Sequence, residues 1–240
     1  MNNTLKAEDI DVVLLCGGEG RRLKPVLNGR PKALADINGR PFLDILIAQL
    51  EGAGFRRFVL CTGHKAELIS RYCKDKETSV EIILSEEKEP LGTAGAIKNA
   101  QSYIKSEPFM VMNGDSLCSL DFADFINYHT DKKALSSIVL INSCEACEYG
   151  LVNLSNSGEI TGFHEKTDVK KGNLVSAGIY LFEQGIFSMI ASDKTVSLEY
   201  ELFPRIIDKG FYGYRTEGKF IDLGTPDRYK EAQVSLKGCL

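Results

Sequence analysis

Four short apolar runs mark the first half of the chain: DVVLLC at 11–16, RRFVLCT at 56–62, VEIILS at 80–85 and PFMVMN at 108–113. Each is nearly continuous rather than alternating, the pattern of a strand that buries both faces. Amphipathic helical stretches separate them. PFLDILIAQLEGAG (41–54) carries Pro41 at its first turn and glycines at its end, a start-and-stop pair. KAELISRYCK (65–74) and TAGAIKNAQSYI (93–104) follow the same helical period. This alternation predicts an α/β fold: a Rossmann-like, doubly wound, predominantly parallel mixed sheet flanked by helices.

The second half supplies the mixed part. ALSSIVLIN (134–142), YGLVNLS (149–155), GEITGFHEK (158–166) and NLVSAGIYLF (173–182) read as strands, with NSGE (156–159) as a hairpin turn. Helices are expected at 184–191, 198–210 and 225–236. No Pro/Ser-rich linker divides the 240 residues, so a single domain over 1–240 is expected. The tetrapeptide NGRP occurs at 28–31 and again at 38–41. That spacing is too short for a repeat architecture and suggests two turns of similar chemistry.

Bulk properties narrow the function classes. The net charge of −4 argues against a general nucleic-acid binder. The N-terminal MNNTLKAEDID has no apolar signal core, and no window approaches the roughly 20 apolar residues of a membrane span. A cytoplasmic protein with no membrane partner is the expectation. Seven scattered cysteines do not form a disulfide framework. Cys16, Cys61 and Cys118 sit in or beside apolar runs as small hydrophobes. Cys144 and Cys147 form a C-x-x-C with no second pair for zinc.

The stretch VVLLCGGEGRRLKP (12–25) runs from strand into loop. It is not a dinucleotide fingerprint, because Leu23 stands where the third glycine belongs. It is not a P-loop either, because no Lys-Ser or Lys-Thr follows. A loop directly after a parallel strand still opens on the ligand edge of the sheet. Gly17, Gly18 and Gly20 let backbone N–H groups approach an anion. Arg21, Arg22, Lys24, Arg30 and Lys32 add five cations in twelve residues, and arginine forks suit phosphate oxygens.

A second strand ends at Asn113-Gly114-Asp115, placing the Asp115 carboxylate at the same edge. A hard cation such as Mg²⁺ takes one or two carboxylates plus phosphate oxygens. In FIDLGTPDRY (220–229), Thr225 and Pro226 read as the cap and first turn of a helix. Asp222 reads equally as a second metal carboxylate or as a turn residue, and spacing does not choose. In EKEPLGTAGAIKNA (87–100), Gly92 and Thr93 open a small-residue helix. That loop either takes a flat ring against its backbone or packs its small face on the sheet; the two readings are compatible.

Taken in order, LLCGGEGRRLKP, RPKAL, EPLGTAGAI, NGDS, YGLV, FHEK, SAGIYLF, SLE and FIDLGTP resemble the sugar-phosphate nucleotidyltransferases over most of the chain. The resemblance implies attack of a sugar 1-phosphate oxygen on the α-phosphorus of a nucleoside triphosphate, with Mg²⁺ and loss of pyrophosphate. It makes residues about 10–115 the nucleotide half and about 116–240 the sugar-phosphate half. It assigns Arg22 to the triphosphate, Lys32 to the α-phosphate, and Asp115 and Asp222 to the metal. Leu15, Gly17, Gly18, Gly20, Glu87, Gly92 and Thr93 fall in the nucleotide set. Asn113, Gly150, Glu165, Lys166, Ser176 and Gly178 fall in the sugar-phosphate set. Arg21 stands where the family usually has Thr, and Ser176 where it often has Asn, which changes the reach to sugar hydroxyls.

EKEPLGTAGAI, NGRPFLDILI and FIDLGTPDRY look most like the guanylyltransferase branch acting on heptose 1-phosphate. GTP and a manno-configured heptose 1-phosphate are therefore the expected substrates, in a pathway of surface-polysaccharide synthesis. Mannose 1-phosphate, or another NDP-hexose pyrophosphorylase reaction with UTP, CTP or dTTP, is the alternative. No β-helical extension is expected after the last helix, and a homo-oligomer is left open. A catalytically inactive nucleotide-sugar sensor is disfavoured because Arg22, Lys32, Asp115 and Asp222 are all present. A flavin or NAD oxidoreductase is disfavoured by the missing glycine.

Overall fold

The computed structural model describes residues 5–143, 151–164, 174–192 and 194–237. In the first half, β1 (Asp11–Leu15) precedes the short β2 (Asp36–Ile37) and β3 (Arg40–Pro41), then α1 (Phe42–Gly52) and β4 (Arg57–Thr62). Next come α2 (Ala66–Lys74), β5 (Glu81–Glu86), α3 (Gly92–Asn99) and β6 (Phe109–Asn113). The second half holds β7 (Ser116–Cys118), α4 (Phe122–Lys132), β8 (Ser136–Asn142), β9 (Leu151–Leu154), β10 (Ile160–His164) and β11 (Leu174–Phe182). It closes with α5 (Phe203–Ile206), β12 (Phe211–Arg215), β13 (Phe220–Asp222) and α6 (Pro226–Ser235).

The four apolar runs form the parallel block β5–β4–β1–β6. Strand order reverses at β1, with β4 and β5 on one side and β6 on the other. The loops leaving β1 and β6 therefore diverge, and a crevice opens between them at the switch point. β11 joins β6 antiparallel, β8 joins β11 antiparallel, and β12 joins β8 in parallel. The β9–β10 hairpin attaches to β11 through Val175 and Leu151. The sheet is thus mixed, and mostly parallel in its first half, as the sequence predicts.

Burial explains the unbroken apolar runs. Val12 and Leu14 face one core cluster, with Leu60, Met110 and Met112 and the helices α1 and α4. Val13 faces the other, with Val59, Val111 and the Ala94–Ile97 face of α3. Every residue between Val12 and Leu14 is fully buried, because both sides of β1 are covered. The NGRP copies both carry Asn and Gly at positive φ, at Asn28–Gly29 and Asn38–Gly39. The second closes the β2–β3 hairpin, the expected use of Asn-Gly.

Three expected helices differ from the structure. Residues 184–189 form a 3₁₀ segment, and 93–104 split into α3 and a 3₁₀ turn at Gln101–Tyr103. The stretch 198–210 becomes a π-helical turn, Leu198–Leu202, followed by the single-turn α5. Pro204 stands in the first turn of α5, where its missing N–H is not needed, and α5 stops before Ile207, whose ψ of 138 leaves the helical region. α4 and β12 lie outside the elements expected from sequence. α6 begins as expected, with the Thr225 hydroxyl accepting from the Arg228 N–H at 3.4 Å and Pro226 at its first position.

Candidate active site

The crevice at the switch point is a cavity of about 580 Å³, within the range of small-molecule sites. Its wall is built from the ends of β1 and β6, the turn at Lys32, the loop after β4 and the segment leading into α3. Leu15, Gly17, Gly18, Lys32, Glu87, Gly92, Thr93, Asn113 and Asp115 all line it. Nine site residues singled out from sequence, spread over a hundred positions, therefore converge on one space.

Glu87 occupies the floor. Its Oε2 accepts the Leu91 N–H at 3.1 Å. A methyl group on Gly17 would lie 2.7 Å from Glu87 Oε1, and one on Gly63 only 2.5 Å. The carboxylate thus rests directly on two glycine backbones, and a side chain at Gly17 would displace it. Burial pushes its pKa above the ordinary carboxylate value, while the Leu91 N–H pulls the other way.

The wall around Lys32 differs in charge. Lys32 forms an ion pair with Asp115 across the cavity. The lysine head is 15% exposed and the carboxylate 38%, so Asp115 remains open to an incoming group. Arg22 is exposed, lies outside the cavity lining and pairs with none of the described residues. Arg21 instead forks onto Glu19, with bonds of 2.8 and 3.3 Å, and lowers that carboxylate's pKa. The two adjacent arginines therefore differ: one is committed to its own loop and the other is available. Gly20 lies outside the cavity wall at φ 57, packed against the Lys32 stem.

Other expected residues are placed elsewhere. Asp222 opens on a second cavity of about 360 Å³, where Arg228 holds Oδ2 at 3.1 Å and the Gly224 N–H reaches Oδ1 at 2.5 Å. Its strand is nevertheless tied to the Asp115 loop, since the Leu223 N–H donates to the Asp115 carbonyl at 2.9 Å. The two carboxylates thus belong to neighbouring segments but line different cavities. Gly178 touches Asn113: a methyl group there would lie 2.4 Å from Asn113 Nδ2, and φ is 71. It sits where the β11–β8 register shifts. Ser176 Oγ accepts the Gly178 N–H at 3.1 Å and lies 3.2 Å from the Tyr180 hydroxyl. Gly150, Glu165, Lys166, Cys144 and Cys147 lie outside the described residues.

The small-residue helix resolves toward packing at its start. Ala94 and Gly95 N–H groups both donate to the Val196 carbonyl, at 2.9 and 3.1 Å, so those donors are used internally. Ala96 still lines the cavity. Among the thiols, burial pushes Cys16 up to about 12 and Cys61 higher, so both are inert hydrophobes. Glu199 also lines the cavity and was not singled out as a site residue. The signal for it was the SLE stretch, where Ser197 caps a helical turn and leaves the carboxylate two residues on.

Among the described residues no group of three His, Cys, Asp or Glu side chains gathers as a metal cluster. No helix among the described residues is long and apolar enough to cross a membrane.

Known proteins resemble the chain along nearly its full length. A D-glycero-alpha-D-manno-heptose 1-phosphate guanylyltransferase of Aneurinibacillus thermoaerophilus is 33% identical, covering 95% of this chain and 99% of the relative. A mannose-1-phosphate guanylyltransferase of Mycobacterium tuberculosis is 29% identical over 97% of this chain and 66% of its own length. The structure of HddC from Yersinia pseudotuberculosis complexed with GMP-PN superposes with a TM-score of 0.82 at 34% identity, covering 95% of this chain and 99% of that one. With residues 11–238 matching the nucleotidyl transferase family, and with this cavity at the switch point of the sheet, the chain belongs to that family of enzymes.

Proposed function

We propose that the protein transfers GMP from GTP to a sugar 1-phosphate, D-glycero-D-manno-heptose 1-phosphate, releasing pyrophosphate and a GDP-sugar for surface-polysaccharide synthesis. The observation that carries the base assignment is Glu87. A carboxylate fixed on the cavity floor accepts hydrogen bonds only, and guanine presents two adjacent donors, N1–H and the N2 amine. Uracil and thymine offer one donor between two acceptors, and cytosine and adenine present an acceptor beside their amine.

The reacting bonds follow from the charges. The sugar phosphate oxygen forms a bond to the α-phosphorus as the bond to the β-phosphate bridge breaks. Lys32 neutralises charge growing at the α-phosphate, and Arg22, with the Gly17 and Gly18 amides, holds the departing pyrophosphate. Asp115 fits a Mg²⁺ ion whose other ligands are phosphate and water, because its hard oxygen donors open on the cavity. When bound, such an ion supplies positive charge to the phosphates. Asp222 serves as a second carboxylate only if Arg228 releases it. Support for the heptose comes from the relatives, and mannose 1-phosphate is the alternative substrate.

The test is pyrophosphate release with Mg²⁺ over a matrix of GTP, ATP, UTP, CTP and dTTP against heptose, mannose and glucose 1-phosphates. GTP with the heptose phosphate is expected to give the highest kcat/KM. A higher value for a pyrimidine triphosphate sinks the base assignment, and a higher value for mannose 1-phosphate replaces the sugar.

A further inference from the structure

Every proton around Glu199 is directed at the same oxygen. The Leu198 N–H donates to Thr93 Oγ1 at 2.7 Å, so the Thr93 hydroxyl sends its own proton to Glu199 Oε2 at 3.1 Å. Ser197 Oγ accepts the N–H groups of Glu199 and Tyr200 at 3.1 and 3.2 Å. Its hydroxyl proton therefore also goes to Glu199 Oε2, at 2.7 Å. Two hydroxyls anchor Oε2, and both donors are fixed by backbone. Oε1 meets no hydrogen-bond donor among the described residues, although the side chain is half-buried and lines the cavity.

This is more than a helix cap. Capping of the turn is done by the Ser197 hydroxyl, and the Ser197 N–H is taken by Glu201 at 2.7 Å. Glu199 is left over as an anchored, acceptor-only group in the cavity lining, with one oxygen that meets no donor among the described residues. A substrate rich in hydroxyl groups is the natural partner of such an acceptor. An apolar or anionic partner is excluded by its charge.

We infer that Glu199 is a specificity-determining residue that accepts a hydrogen bond from a substrate hydroxyl through Oε1. The inference rests on the guanylyl-transfer reading, which supplies two hydroxyl-bearing substrates: the ribose of the triphosphate and the sugar 1-phosphate. Thr93 lies two residues beyond Leu91, the residue that grips Glu87. Both carboxylates are thus anchored from one short segment.

The experiment compares kcat/KM for GTP against its 2′-deoxy and 3′-deoxy forms. It also compares mannose 1-phosphate with 2-deoxyglucose 1-phosphate. Both comparisons use the unmodified protein and Glu199→Ala, which removes the acceptor altogether, since a substrate hydroxyl could still accept from the amide of a glutamine. A charge-assisted hydrogen bond to a hydroxyl gives about tenfold to a hundredfold discrimination against the deoxy compound. The variant should reduce one of these ratios to below about threefold, as expected once the pairing is lost. Collapse of the ribose ratio assigns Glu199 to the nucleotide, and collapse of the sugar ratio assigns it to the acceptor. A purely structural role lowers both members of each pair equally and leaves both ratios intact; that result overturns the inference. Failure of the unmodified protein to turn over any pair overturns the guanylyl-transfer reading instead.

Discussion

Replacing Glu87 with glutamine exchanges one oxygen for an amide nitrogen and changes little else in shape. The Leu91 N–H fixes which end is which: it needs an acceptor at the Oε2 position, so the amide oxygen stays there. The nitrogen then takes the Oε1 position beside Gly17 and Gly63, facing the guanine donors with donors of its own. A hydrogen bond to a charged group contributes about 1.5–3 kcal/mol. Losing the productive pair should cost about 3 kcal/mol, or roughly a hundredfold in kcat/KM for GTP. The sharper assay uses inosine triphosphate, which lacks the N2 amine. The unmodified protein should prefer GTP over ITP by about tenfold to a hundredfold, and Glu87→Gln by less than about threefold.

Stability provides the control. The folded-state pKa of Glu87 is raised, so its contribution to stability is full below the unfolded pKa and is lost as pH rises through the folded value. Fixing the side chain neutral removes that loss. The variant should therefore melt no lower than the parent at pH 7 to 8 and still fail with GTP. For the same reason GTP binding by the parent should weaken on acidification at a higher pH than an ordinary carboxylate would dictate. A variant that keeps the GTP/ITP ratio refutes the base-reading role.

The adjacent arginines should separate cleanly: Arg22→Ala should lower kcat by about 10²–10³, whereas Arg21→Ala, which loses only an exposed pair with Glu19, should change it less than about threefold. Asp115→Asn should abolish metal-dependent turnover. In EDTA it should instead bind GTP about tenfold more tightly by calorimetry, because Lys32 is freed from its ion pair; unchanged metal-free affinity contradicts the coupling. Gly178→Ala combines a left-handed backbone with displacement of the Asn113 amide. Thermal unfolding should show a loss of about 2–4 kcal/mol from those two sources.

Much of the frame is local information. The runs at β1, β4 and β6 announce strands covered on both faces, whereas β5 is an edge strand and only half-buried; the glycine loop after β1 locates the ligand edge before any contact is known. α4 was not among the expected elements although its signals are present: Asp121 caps it, and Phe122, Phe125, Ile126 and His129 repeat at helical spacing. The buried His129, bonded to Ser137 and Glu183, interrupts what otherwise reads as an apolar face. β12 is harder, since Gly213 and Arg215 break its apolar run and its partner β8 is far away in sequence.

The sequence by itself determined the strand–helix alternation, the ligand edge after its strands and the chemical types there, because periodicity and turn residues act over a few positions. Only the tertiary structure decided which groups are engaged there. It placed Glu87 on the backbones of Gly17 and Gly63, set Lys32 against Asp115, and anchored Glu199 through Thr93. It also gave Arg21 to Glu19 and Asp222 to Arg228. All of these except the Arg21–Glu19 pair join residues from separate elements or loops. Charge pairing at a site depends on distances across the fold, and those are fixed only when the sheet has closed around its core.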